Sequence, residues 1–159
     1  DGVNFKDISP LLADQETFRS AIVEMGGIYY DDIGIPDYWV GIDARGFIFA
    51  SALATYFGGG FIMARKKGKL PYKKISLEYE LEYGSCEIEI HKDSVIPGDK
   101  VVIHDDLLAT GGTAAAAAKM VRSMGADIIG FSFLVELGFL NGRNVLEEYC
   151  SKIVSIVKY

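Results

Sequence analysis

Short, continuously apolar runs alternate along the chain with longer stretches of helical periodicity. The apolar runs predict four buried strands, at residues 38–42, 61–64, 100–104 and 127–135. The helical patterns predict four helices, at residues 11–25, 47–57, 113–124 and 144–150. Apolar strands separated by helices are typical of a parallel sheet covered on both faces, so the pattern predicts an α/β fold.

Glycines mark the expected ends of the helices. We expect Gly26 and Gly27 to end the first helix, and the glycines at 58–60 to end the second. Gly125 closes the third helix, which begins with a run of alanines, the residue of highest helix propensity. The helix ends that the glycines indicate therefore agree with the helices that the hydrophobic periodicity predicts.

Residues 66–91 depart from this alternation of strands and helices. Within them, Ile88 and Ile90 alternate with Glu87 and Glu89, a period of two that is typical of a half-buried strand. The segment is therefore predicted to be a loop followed by an antiparallel pair of strands added to the core.

Composition and charge narrow the class of protein. The chain has 159 residues, 50% of them hydrophobic and 24% charged, so we expect one folded domain over residues 1–159, with N-terminal residues missing before Asp1. The formal net charge of −6 argues against a nucleic-acid partner. No apolar run reaches the roughly 20 residues of a membrane span, and two cysteines suit a reducing compartment. We expect a cytoplasmic protein.

The most informative stretch runs from residue 101 to residue 113: an apolar strand, two acids, a loop of small residues and a helix. Asp105 and Asp106 can accept hydrogen bonds from two neighbouring hydroxyls, as on a ribose. The loop at 109–113 offers backbone N–H groups, hydroxyls and a helix N-terminus, which together suit a phosphate. Each piece alone is common in ordinary turns, but the combination predicts a site for a phosphorylated sugar.

Residues 105–113 resemble the phosphoribosyl-pyrophosphate motif of type I phosphoribosyltransferases. The chain is most similar to the adenine-specific family, through further blocks at residues 3–10, 41–47, 65–71 and 81–84. Leu107-Leu108 and the Leu-Glu-Tyr-Gly block at 81–84 make the resemblance specific for adenine. It implies the type I phosphoribosyltransferase fold: a central, mostly parallel sheet flanked by helices, with a small hood and a mobile β-loop over the active site.

The resemblance also implies an activity. An enzyme of this family transfers the 5-phosphoribosyl group from phosphoribosyl pyrophosphate to N9 of adenine, producing AMP and pyrophosphate in purine salvage. It implies Mg²⁺ as cofactor, bound mainly through phosphoribosyl pyrophosphate, and a homodimer.

Roles in binding the phosphoribosyl group and pyrophosphate follow from the same resemblance. Asp105 and Asp106 hold the ribose hydroxyls. The 5′-phosphate is bound by a group of loop residues: Ala109, Thr110, Gly111, Gly112 and Thr113. Arg45 and Lys69 contact pyrophosphate, and Arg65 is offered across the dimer interface.

The remaining implied roles concern the base. Glu82 is the implied catalytic residue, exchanging a proton with the purine, and its neighbour Tyr83 belongs to the same closing loop. Adenine lies against two apolar side chains while main-chain groups read its edge, a set comprising Asn4, Phe5, Lys6 and Leu107. Lys6 stands where an arginine is common in the family.

His104 stands where the family usually has an aliphatic residue, and we interpret it as a strand residue at the solvent edge of the sheet. His91 has no second ligand at metal-binding spacing, so no protein-held metal site is predicted. Two other functions stay open. A 6-oxopurine phosphoribosyltransferase would need a donor such as lysine for O6, and a regulator that senses phosphoribosyl pyrophosphate would usually carry a DNA-binding element or a basic surface.

Overall fold

A seven-stranded sheet organises the fold. The structure, a computed structural model, describes residues 7–81 and 84–159. Its strands are β1 (Tyr38–Ile42), β2 (Gly60–Lys66), β3 (Lys74–Leu81), β4 (Gly84–His91), β5 (Lys100–Leu108), β6 (Asp127–Glu136) and β7 (Ile153–Lys158). Its helices are α1 (Ser9–Ala13), α2 (Gln15–Asp32), α3 (Gly46–Phe57), α4 (Gly112–Ser123) and α5 (Gly142–Glu147), with a 3₁₀ turn at Gly138–Leu140.

The strands lie in the order β3-β4-β2-β1-β5-β6-β7. The five strands from β2 to β7 in this order are parallel, and the β3–β4 hairpin extends one edge in antiparallel fashion. The register sets Ile42 of β1 beside Ala64 of β2, and Gly41 beside His104 of β5. The carboxyl ends of these strands therefore meet at one edge, where parallel α/β sheets bind their ligands. The predicted parallel sheet and added hairpin are confirmed.

Helices cover both faces of the sheet. One core cluster contains residues of α2 and α3, such as Met25 and Phe49, and the other contains residues of α4 and α5, such as Val121 and Leu146. The alanines of α4 lie in that second cluster, with the hairpin's apolar side chains packed against it. Small residues let the helix approach the sheet and hairpin closely, which explains the run. Among the described residues, no helix is long and apolar enough to cross a membrane.

The first predicted helix is wrong at both ends. Asp14 separates α1 from α2, and its carboxylate accepts a hydrogen bond from the Thr17 backbone nitrogen at 2.8 Å. The helix then continues through Gly26 and Gly27 to Asp32. Gly26 is a packing residue rather than a terminator, because a Cβ there would lie 2.0 Å from the Phe57 ring.

The other elements agree with their predictions with three exceptions. β5 continues four residues beyond His104, because its pairing with β6 runs on to Leu108. The last predicted helix lies earlier, at Gly142–Glu147. β7 was not predicted, and it completes the sheet by pairing in parallel with β6.

Candidate active site

The two acids of the motif lie within β5 rather than beyond its end. The irregularity in the pairing of β5 with β6 lies earlier, between Val101 and Val102, and the register does not shift again up to Leu108. The Asp106 backbone nitrogen donates to Asp105 Oδ1 at 2.9 Å, so the two neighbouring acids are linked directly.

Burial dominates the electrostatics of the acid pair. It raises the pKa of Asp105 well above its ordinary value, and the neighbouring Asp106 charge adds to this increase. Burial also raises the pKa of Asp106, against the opposing effect of Arg45, whose Nε lies 2.9 Å from Asp106 Oδ2. A ligand whose hydroxyls donate hydrogen bonds to these carboxylates would replace the hydration that burial removes.

The loop that follows β5 encloses a cavity of about 120 Å³. The lining contains the predicted sugar-phosphate residues except Asp106, namely Asp105, Ala109, Thr110, Gly111, Gly112 and Thr113. The rest of the lining consists of Leu107, Leu108, Ala114 and Phe133. Gly111 has φ +82°, a left-handed conformation that glycine adopts without strain. The first turn of α4 has neither an acidic residue nor a side-chain cap, so its backbone N–H groups suit an anion.

The β3–β4 hairpin contacts the lining of this cavity through Tyr79, a residue that was not predicted to belong to the site. The Tyr79 hydroxyl interacts with the side chains of Thr113 and Cys86, and burial raises its pKa. Ile75, Leu77 and Tyr79 all pack against the core cluster that contains α4. The sequence did carry a signal for this contact. Ile75, Leu77 and Tyr79 occupy alternate positions, which sets all three on one face of β3.

The predicted cations lie along the same sheet edge. Arg45 immediately precedes α3 and contacts Asp106. Arg65 Nε lies 3.5 Å from Asp43 Oδ2, and its Nη1 donates to the Lys69 carbonyl oxygen at 3.2 Å. The segments that carry Arg65 and Lys69 are thus tied to the loop that carries Arg45.

A sequence profile of the phosphoribosyl transferase domain matches residues 14–157. The chain belongs to the phosphoribosyltransferase family. An adenine phosphoribosyltransferase from Halothermothrix orenii is 53% identical, over 93% of this chain and 86% of the relative. The solved enzyme from Thermoanaerobacter pseudethanolicus has a TM-score of 0.93 and 47% identity, covering 100% of this chain and 90% of that one. The Saccharomyces cerevisiae enzyme, complexed with an imino-altritol bisphosphate and adenine, has a TM-score of 0.90 and 36% identity, covering 98% and 88%.

Some predicted residues of the phosphoribosyltransferase site lie outside the described part of the chain. These are Asn4, Phe5, Lys6, Glu82 and Tyr83. Leu107, the remaining residue of the predicted adenine pocket, is partly buried and lines the cavity beside the acid pair.

His104 corrects a sequence-based interpretation in this phosphoribosyltransferase. It lies in the core, fully buried, with its ring 5.6 Å from that of Phe49, and not at a solvent edge. Strand β5 is central, so its residues are covered on both faces. Neither imidazole nitrogen has a hydrogen-bond partner among the described residues, and the same holds for the Ser132 hydroxyl, its register partner on β6.

His104 should make the stability of the fold depend on pH. Burial lowers its pKa from 6.5 to about 3, so below pH 6.5 the unfolded chain binds a proton that the folded chain does not. The free energy of unfolding should therefore fall with decreasing pH, by about 2 kcal/mol from this group between pH 7.5 and 5. In urea unfolding, the free energy of unfolding of His104→Leu should fall by about 2 kcal/mol less than that of the wild type between pH 7.5 and 5.

The other histidine provides the control. His91 is only partly buried, so His91→Gln is the matched variant that removes an imidazole while leaving the buried one in place. Identical acid sensitivity in His104→Leu and the wild type would contradict the role given to the buried imidazole.

Proposed function

We propose that the chain is an adenine phosphoribosyltransferase of purine salvage, which converts adenine and phosphoribosyl pyrophosphate to AMP and pyrophosphate. The observation that carries the proposal is the single cavity shared by Asp105 and the loop at 109–113. Carboxylates that accept from two hydroxyls, next to N–H groups that bind a phosphate, match the ribose 5-phosphate common to substrate and product. The complex of the Saccharomyces relative with adenine supports adenine as acceptor.

The reaction replaces one bond at the anomeric carbon by another. The bond from C1′ to the pyrophosphate oxygen breaks, and its electron pair leaves with pyrophosphate. N9 of adenine forms the new bond to C1′ and loses its proton. Because C1′ becomes oxocarbenium-like while the polyanion departs, catalysis requires groups that bind the leaving pyrophosphate more tightly in the transition state.

Arg45, Arg65 and Lys69 are the cations we assign to the pyrophosphate. Arg45 also contacts Asp106, so one guanidinium links the pyrophosphate and ribose subsites. The oxygen donors of Asp105 and Asp106 and of the substrate's phosphates are of the hard type that Mg²⁺ prefers. Mg²⁺, bound mainly through phosphoribosyl pyrophosphate, would neutralise charge on the leaving group.

The base subsite follows from the family resemblance. Phe5 and Leu107 would contact the adenine ring, with main-chain groups near Asn4 and Lys6 at its edge. Glu82 would exchange a proton with the purine as the N9 bond forms, with Tyr83 beside it in the closing loop. A carboxyl group suits this step because it can both accept and return a proton.

One set of assays tests both the substrate and the role of Glu82. With phosphoribosyl pyrophosphate and Mg²⁺, the wild type should convert adenine far faster than hypoxanthine or guanine. Glu82→Gln should lower kcat for adenine by about 10²–10⁴, with smaller changes in KM, because the amide keeps the shape but cannot titrate.

Three results of these assays would contradict the proposed substrate, the enzymatic activity or the role of Glu82. Turnover of hypoxanthine equal to that of adenine would replace the proposal by a 6-oxopurine enzyme. Binding of phosphoribosyl pyrophosphate without turnover of any purine would indicate a non-catalytic regulator. A Glu82→Gln enzyme with wild-type kcat across the pH range would refute the proton-exchange role alone.

We also propose that the enzyme is a homodimer in which Arg65 reaches the partner's active site. Phe61, Met63 and Arg65 alternate along β2 with the buried Ile62 and Ala64. A parallel sheet is normally covered on both faces, yet Phe61 and Met63 are 36% and 38% exposed. A second copy of the chain would cover this apolar face and bring Arg65 to the interface.

Sedimentation with a charge placed on this face tests the homodimer. The wild type should sediment as a dimer, whereas Met63→Glu should shift towards the 17.4 kDa monomer and lose activity in parallel, since a buried carboxylate opposes association. The control is Ile96→Glu, because Ile96 is more exposed, at 66%, and lies outside β2. A fully active wild-type monomer would contradict the proposal.

A cytoplasmic location completes the proposal. Cys86 and Cys150 are both free thiols, which suits a reducing compartment. Cell fractionation tests this point, and recovery of the active enzyme outside the cytoplasmic fraction would contradict it.

A further inference from the structure

The phosphate-binding loop packs directly on the backbone of Gly142, the first residue of α5. A methyl group at Gly142 would lie 2.2 Å from the Ala109 carbonyl oxygen and 2.9 Å from the Gly111 nitrogen. In the other direction, a Cβ at Gly111 would lie 2.6 Å from the Gly142 carbonyl oxygen. Backbone atoms touch on both sides of this contact, so neither position has space for a side chain.

Arg143 fixes the position of Gly142 relative to the sheet. Its Nε and Nη2 donate to the two carboxylate oxygens of Glu136, at 3.0 and 2.5 Å. Its Nη1 donates to the Ile153 carbonyl oxygen at 2.9 Å. A bidentate arginine pair restricts orientation as well as distance, so the start of α5 is tied to the end of β6 and to the first residue of β7.

Glu136 is suited to act as the anchor. It is 6% exposed, and the Arg143 guanidinium lowers its pKa to about 2, so it keeps its charge at neutral pH. The adjacent Leu137 nitrogen donates to the Leu108 carbonyl oxygen at 2.9 Å, just before the phosphate loop. The loop is therefore held to the β6 end on one side and rests on Gly142 on the other.

We propose that Gly142, held by the Arg143–Glu136 pair, is a positioning residue for the 5′-phosphate subsite. This inference rests on the proposed function, because it assumes that the loop at 109–113 binds the phosphate. The backbone of Gly142 sets the path of Ala109 to Gly111, and that path sets the direction of the N–H groups that bind the anion. Neither residue needs to touch the substrate.

Gly142→Ala tests the contact itself. The added methyl would overlap the Ala109 carbonyl oxygen and displace the loop. A displacement of about 1 Å at a site can lower activity by about 10²-fold. We expect KM for phosphoribosyl pyrophosphate to rise by that order, and the affinity for ribose 5-phosphate, measured by titration calorimetry, to fall in parallel. KM for adenine should change little. Gly27→Ala is the matched control, because a Cβ at Gly27 meets nothing within 4 Å.

Arg143→Lys tests the anchor without adding an atom to the loop. It keeps the positive charge but loses the bidentate geometry, so KM for phosphoribosyl pyrophosphate should rise selectively, by about tenfold. Arg122→Gln is its control: Arg122 Nη2 donates to the Tyr149 carbonyl oxygen at 2.8 Å, beyond the far end of α5. Arg122→Gln should lower the melting temperature without raising KM for this substrate.

The outcomes separate the inference from the function on which it rests. Wild type that fails to bind ribose 5-phosphate would refute the proposed function, and the inference with it. Wild type that binds this ligand, together with Gly142→Ala and Arg143→Lys proteins that bind it equally well, would refute the inference alone. Equal rises in KM for both substrates, in step with lost thermal stability, would reduce Gly142 to a structural residue.

Discussion

The adjacency of Asp105 and Asp106 in a buried strand is the constraint on which the rest of the site depends. Two neighbouring carboxylates repel each other and lose hydration when buried, so both need hydrogen-bond donors. The Arg45 guanidinium meets Asp106, and the backbone N–H of Asp106 meets Asp105. The loop after β1 is thereby tied to β5, and a sugar diol can supply further donors at the same point.

The sheet edge converts this local arrangement into a site. Because β2, β1 and β5 are parallel, the Asp43–Arg45 loop that follows β1 lies at the same edge of the sheet as the acid pair carried by β5. The loop at 109–113, which follows β5, is supported by the backbone of Gly142 at the start of α5. The conformation of this loop thus depends on packing between backbones, whereas the carboxylates of Asp105 and Asp106 are held by charge and hydrogen bonds.

Local signals in the sequence predicted those parts of the fold that local interactions determine. The apolar run of β1 and the glycines after α3 define both elements to within a residue of the structure. The motif also predicted that Asp105 and the loop at 109–113 lie together, and they share one cavity because strand, loop and helix are contiguous there.

Contacts between distant segments account for what could not be predicted. Pairing with β6 carries β5 past the acids that end its apolar run. The Phe57 ring makes Gly26 a packing residue inside α2, and His104 is buried because β5 is central. Nothing in the sequence around Gly142 indicated its contact with the loop at 109–113, because the residues it touches lie about thirty positions earlier in the chain.

The central claim, that the acid pair binds the ribose diol, is tested most directly by titration calorimetry with AMP and 2′,3′-dideoxy-AMP. Charge-assisted hydrogen bonds contribute about 1.5–3 kcal/mol each, so the wild type should bind AMP at least tenfold more tightly. That preference should shrink in Asp105→Asn and Asp106→Asn. Equal affinity of the wild type for the two nucleotides would contradict the account.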